Sequence, residues 1–119
     1  MRAAVATLAV TLSLTAAAQQ IYDVNDQGIM RPELVKDVPV PARYTPDAMR
    51  RKIEGSVLLR GVILESGRVA DVKVVESLDP ELDQEAVAAF SKWAFKPGTK
   101  EGAPVAVRVT CKMAFAFKD

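Results

Sequence analysis

Histidine is absent from this 119-residue chain. The side chain that most often serves as general base near neutral pH and as metal ligand is therefore missing. A lone cysteine, Cys111, cannot build a thiolate metal site or an internal disulfide. The densest run of chemistry-bearing side chains is "SLDPELDQE", which places Asp79, Glu81, Asp83 and Glu85 close together. A calcium loop needs a glycine and a fixed ligand spacing that this run lacks. Acids around a proline are instead what a helix N-terminus favours. Gly55, Gly61 and Gly67 recur without a phosphate-cradling pattern. Ser56, Ser66, Ser77 and Ser91 have no imidazole to activate them, and a Ser–Lys pair would be set in space rather than by spacing. Arg50, Arg51 and Lys52 read as the solvated, dipole-favoured end of a helix. The expectation is no enzyme, no cofactor and no metal. A small-ligand binder or an enzyme on the same scaffold is the alternative, and a deep polar-lined pocket would mark it.

Charge narrows the partners. The run "MRAAVATLAVTLSLTAAAQQ" has one early cation, Arg2, an apolar stretch over 3–18 and small residues at Ala16, Ala17 and Ala18. That is the order of a cleaved export signal, and it is shorter than the ~20 residues of a membrane span. Residues 1–18 are read as a signal peptide, 19–43 as an extended lead-in and 44–119 as one domain. Without Arg2 the sixteen basic residues become fifteen, equal to the fifteen acids. A neutral chain has no electrostatic reason to bind nucleic acid. It meets a membrane only if residues 3–18 stay uncleaved. The expected location is the periplasm, with an anchored, periplasm-facing form as the alternative.

The elements follow from caps and periodicity. Pro32, Pro39 and Pro41 exclude a long helix in the lead-in, and residues 34–38 could form a short edge strand. "TPDAMRRKIEG" signals a helix, with Thr45 as cap, Pro46 at the first position and Gly55 as stop; Ala48, Met49, Lys52 and Ile53 share one face. Residues 56–64 and 69–76 read as two strands of a hairpin turning at Gly67. Leu82, Ala86, Ala89, Phe90 and Trp93 make one apolar stripe of a second helix capped by Asp79. From 105 to 117 the odd positions are apolar and the even ones small or polar, which is a long half-buried strand. Cys111 falls on its apolar side as core filler. Pro97 and Gly98 turn the chain between that helix and strand. The class is α+β: a two-layer sandwich of an antiparallel three-stranded sheet with two helices on one face.

A long strand at a sheet edge offers unpaired backbone groups to a partner. The partner-binding residues expected on this ground are Val105, Ala106, Val107, Arg108, Val109, Thr110, Cys111, Lys112 and Met113. The partner is an extended segment of another protein, or a second copy in a homodimer.

Along the chain come, in order, Tyr44 and Pro46, Gly55 with Ser56 and Val57, Gly67-Arg68-Val69, Leu82 and Asp83 with Ala86, then Trp93, Phe95 and Pro97 as W-x-F-x-P, and finally Gly102, Pro104 and Val105. On these landmarks residues 44–117 resemble the C-terminal domain of TonB proteins. The resemblance implies two helices on one sheet face. It also implies a periplasmic domain that takes the N-terminal peptide of an outer-membrane TonB-dependent transporter as a strand beside its last strand, here residues 105–117. Another periplasmic protein is the alternative partner. Members of that family typically have an inner-membrane anchor and a long spacer. Read as cleaved, this chain lacks the anchor, and residues 19–43 reach only roughly 80–90 Å when extended. A membrane-anchored minimal energy transducer is the alternative reading.

Overall fold

The computed structural model describes residues 20–35 and 41–117. The expected signal peptide lies outside them, as does most of the short strand expected at 34–38. In chain order the elements are β1 (Ile21–Asp23), β2 (Ile29–Met30), β3 (Glu33–Leu34), α1 (Pro46–Arg50), β4 (Gly55–Ile63), β5 (Val69–Glu76), α2 (Pro80–Ser91), β6 (Phe95–Lys96), β7 (Gly98–Lys100) and β8 (Ala103–Phe115).

The α+β class and the two helices are as expected, but the sheet is larger than three strands. Six strands join it in the order β2-β7-β8-β4-β5, with β1 also paired to β8; β3 and β6 form a separate two-stranded ribbon. The β1–β8 pair is parallel, so the sheet is not wholly antiparallel. The backbone of the fold is the β4–β8 ladder, which runs without a shift from Gly55 opposite Phe115 to Ile63 opposite Val107.

Both helices begin on the residues that the sequence marks. The Thr45 hydroxyl accepts from the Ala48 N–H at 3.3 Å and donates to the Glu81 carboxylate. Asp79 accepts from the Glu81 and Leu82 N–H groups at 3.0 and 3.2 Å. Asp83 reaches back to the N–H groups of Leu78 and Asp79 and accepts from the Ser77 hydroxyl. Three acids of the "SLDPELD" run are thus engaged at the two helix starts. Arg51 joins the helices, donating to Asp47 at 2.8 Å and to Asp79 at 3.1 Å.

Helix α1 is shorter than its pattern. Lys52, not Gly55, ends it: Lys52 takes φ 55°, its N–H bonds to the Met49 carbonyl, and the Ile53 N–H bonds to the Ala48 carbonyl. This pair of bonds closes a helix end around one left-handed residue, usually glycine. One turn cannot carry a four-residue stripe, so Ala48 is buried while Met49 is 46% exposed.

Ala48, Leu82, Ala86, Ala89 and Phe90 of the helices pack on Val57, Leu59, Met113 and Phe115 of the central strands. Phe90 is fully buried, worth about 1.5–3 kcal/mol for such a side chain. Its ring lies so close to β4 that a Cβ at Gly61 would sit 2.9 Å from it. Tyr44 secures the far end, edge-on to Phe115 and stacked on Phe117 at 5.5 Å each, with its hydroxyl donating to the Ile53 carbonyl. The hairpin turn is tied to the "WAF" segment. Gly67 has φ 90°, its carbonyl accepts from the Phe95 N–H at 2.9 Å, and Arg68 bridges to Ala94. Strand β5 does not alternate as its sequence suggests, because register shifts interrupt its pairing with β4 and Asp71 takes φ 51°.

Backbone position decides two substitutions. A Cβ at Gly67 would lie 2.1 Å from the Phe95 carbonyl oxygen, so Gly67→Ala should lose on the order of 3 kcal/mol or fail to fold. Lys52→Gly relieves a left-handed lysine and should gain about 1 kcal/mol. Urea denaturation of the two variants checks both signs. Asp79 provides a pH test. Burial alone would push its carboxyl up, but the Leu82 N–H, the Arg51 guanidinium and the Glu81 N–H outweigh burial and hold it below the usual carboxylate range. Its contribution to stability is therefore present at neutral pH. It is lost as acidification passes the unfolded-state value near ~3.9 and then the lower folded one. The denaturation midpoint should fall below about pH 4, and Asp79→Asn should flatten that part of the curve.

Candidate functional site

Among the described residues, two stretches of strand edge lack a neighbouring strand over several residues. One is the outer edge of β5. It is interrupted by the Asp71 bulge and carries Lys73 and Glu76, the devices that keep an edge from pairing. The other belongs to β8. On the side away from β4, residues 103–105 pair with β7 and residues 106–108 with β1. Among the described residues, 109–115 have a ladder only with β4. This half of β8 is regular, so its outward N–H and C=O groups form an even row.

The expected partner-binding residues therefore divide. Val105 is opposite Gly98, and Ala106, Val107 and Arg108 are opposite Ile21, Tyr22 and Asp23. Val107 and Arg108 also face β4 and so have neighbours on both sides, Val105 and Ala106 have theirs on the β7 and β1 side, and among the described residues Val109, Thr110, Cys111, Lys112 and Met113 have theirs on β4 alone. Ala106, expected on the wet side, is fully buried beside β1. The Tyr22 ring carries Lys100 Nζ at 4.8 Å from its centroid.

A groove of about 410 Å³ runs along the free half. Its β8 wall is residues 109–112; the opposite wall is Val24, Arg31, Pro32 and Leu34, and Phe90, Trp93 and Phe95 line the helix side. Trp93 lies just beyond α2 and is half-buried rather than in the core. It packs edge-on to Phe90 at 5.5 Å and within 6.4 Å of Phe95, so it serves both the core and the groove. Cys111 is half-buried in this wall, and burial pushes its thiol above the ordinary value.

On the other face of the sheet, away from the helices, a trough of about 730 Å³ is lined by polar side chains, among them Arg60, Lys73, Arg108 and Thr110, with Asp23 and Asp71. Val24 and Thr110 belong to both hollows, which meet across the β8 edge. No group of three or more His, Cys, Asp or Glu among the described residues is arranged to hold a metal ion, and no described helix is long and apolar enough to cross a membrane.

Apart from Trp93 and Phe95, which also line the groove, the landmark residues are structural here. Tyr44, Pro46, Gly55, Gly67, Leu82, Asp83 and Phe95 hold caps, turns and packing, and Pro97 separates β6 from β7. Sequence reasoning missed β1, whose partner lies at the other end of the chain. The signal was "IYDVNDQG", a β-prone run followed by turn formers.

Comparison with known proteins covers the same region. Residues 40–117 match the family model for the Gram-negative bacterial TonB protein C-terminal. The protein tonB2 of Pseudomonas aeruginosa is 44% identical over 63 residues, 52% of this chain and 23% of that protein. A TonB protein of Xanthomonas campestris pv. campestris is 35% identical over 78 residues, covering 65% and 35%. One from Vibrio cholerae is 32% identical over 99 residues, covering 77% and 41%. The chain thus spans between 23% and 41% of the length of these relatives. Among solved structures, the solution NMR structure of Pseudomonas aeruginosa TonB CTD superposes with a TM-score of 0.62 at 31% identity, over 82% of this chain and 94% of that one.

The groove makes Cys111 a reporter. The thiolate is the reactive form, so at about pH 8 a disulfide reagent should modify Cys111 more slowly than free cysteine. A rate equal to that of free cysteine would contradict the burial of this wall.

Proposed function

Since the chain belongs to the Gram-negative bacterial TonB protein C-terminal family, we propose that it is a periplasmic interaction module that takes an extended segment of an outer-membrane transporter as an added strand along residues 109–115 of β8. Export follows from cleavage after Ala18, and the role is contact with the transporter in TonB-dependent transport.

One observation carries the reading: the free half of β8. An added strand would complete the backbone hydrogen bonds that this row leaves open. Alternate side chains would enter the groove beside Trp93 and Phe95, where apolar contact adds to the backbone bonds. The bulged β5 edge offers no comparable regular row. The rest of the domain holds β8 in place from the other side, through its ladder to β4.

Titrating the isotopically labelled chain with N-terminal peptides of outer-membrane transporters tests the proposal by NMR. The amides of residues 109–115 should shift and gain protection from solvent exchange, while those of β5 stay unchanged. Perturbation confined to β5, or none at 109–115, would defeat it. The same spectra at rising protein concentration without peptide report pairing between two copies through this edge.

A further inference from the structure

The two sides of the free β8 edge differ in chemistry. Val109, Cys111 and Met113 turn toward the helix layer, where they pack on or within the core cluster. Arg108, Thr110 and Lys112 alternate with them and are exposed on the open face of the sheet. On that face Thr110 is the register partner of Arg60, and Arg60 is the register partner of Lys73. A row across the strands therefore reads Thr110, Arg60, Lys73, with Arg108 and Lys112 flanking Thr110 along β8.

Like charges directly opposite one another destabilise a strand pair. Arg60 and Lys73 are such a pair, yet among the described residues none of these four cations forms an ion pair. Three of the cations line one continuous trough with Thr110, and the row ends at the small Thr110 on the open side of β8. Strand β1 shows what a neighbour on this side can present: its Asp23 is the register partner of Arg108.

The geometry points to an occupant that is itself two-faced, an extended peptide with apolar residues on the groove side alternating with acidic residues on the open-face side, one acid lying beside Thr110. This rests on the strand-addition reading and adds a sequence rule to it. Successive side chains of a strand point to opposite faces, so one chain meets both demands only if the two kinds of residue alternate. An acid beside Thr110 has Arg108 and Lys112 as diagonal neighbours roughly 7–8 Å away, within reach of long side chains. Arg60 lies just across the small threonine. Charge matching of this kind selects the partner and its register, and it weakens with salt.

Three capped seven-residue peptides, alternating valine with glutamate, glutamine or lysine, form the test on the labelled chain. The seven residues match the free stretch 109–115. The glutamate peptide should bind about tenfold more tightly than the glutamine peptide at low salt, and the lysine peptide should bind least. The glutamate advantage should shrink in the double variant Arg60→Gln, Lys112→Gln. Both side chains are exposed, and such substitutions usually leave folding intact; the spectrum of the free variant confirms it. Equal binding of the glutamate and glutamine peptides, with both perturbing residues 109–115, would overturn the acidic rule and leave strand addition standing. No perturbation of 109–115 by these peptides or by transporter segments would overturn both.

Discussion

The contact on which the rest of this structure depends is the seat of Phe90 on β4. A side chain at position 61 would stand where the ring stands, so the glycine lets α2 approach the sheet until its aromatic residue touches strand backbone. Close packing of this kind fixes the helix in all directions, since an interior as dense as a crystal tolerates no slack. Phe90 then supports Trp93 and Phe95, and Phe95 binds Gly67 through its N–H. One aromatic cluster thereby joins the second helix, the hairpin turn and the approach to the last strand.

The proposed function depends on what that frame leaves unpaired. A sheet exposes unsatisfied backbone groups at its edges, and this chain handles its edges unequally. Strand β5 is bulged and charged. The first half of β8 is covered by the β7 return and by β1. The second half stays regular and unpaired among the described residues, with an apolar groove on one side and cations on the other. In the proposed strand addition, β1 limits a partner strand to the remaining half, because its own residues already occupy the adjoining positions.

Much of this is legible in local sequence. Thr45 and Asp79 cap the helices they were expected to cap, Gly67 turns the hairpin with a positive φ, and the alternating run expected over 105–117 lies mostly in β8, which begins at Ala103 and ends at Phe115. The misreadings have physical causes as well. Gly55 looked like the stop of α1, but Lys52 could take the left-handed position because the closing bonds from Lys52 and Ile53 repay the strain. Trp93 looked like the end of a buried stripe, yet the helix stops before it and its ring reaches the groove. Residues 69–76 were expected as one strand of a plain hairpin, but β5 contains register shifts, because register belongs to a pair of strands and not to one.

The sequence by itself determined the starts of the two helices, the hairpin and the alternation of the last strand. Capping, turn chemistry and side-chain periodicity are short-range, and each acts within a few residues along the chain. Only the tertiary structure decided which stretch of edge stays open. That choice rests on Ile21, Tyr22 and Asp23 lying beside Ala106, Val107 and Arg108, residues from opposite ends of the chain. It rests equally on Arg60, Lys73 and Arg108 coming from three strands into one trough. Backbone hydrogen bonds between distant segments carry no local signature, so the open edge and its charged face exist only once the chain has folded.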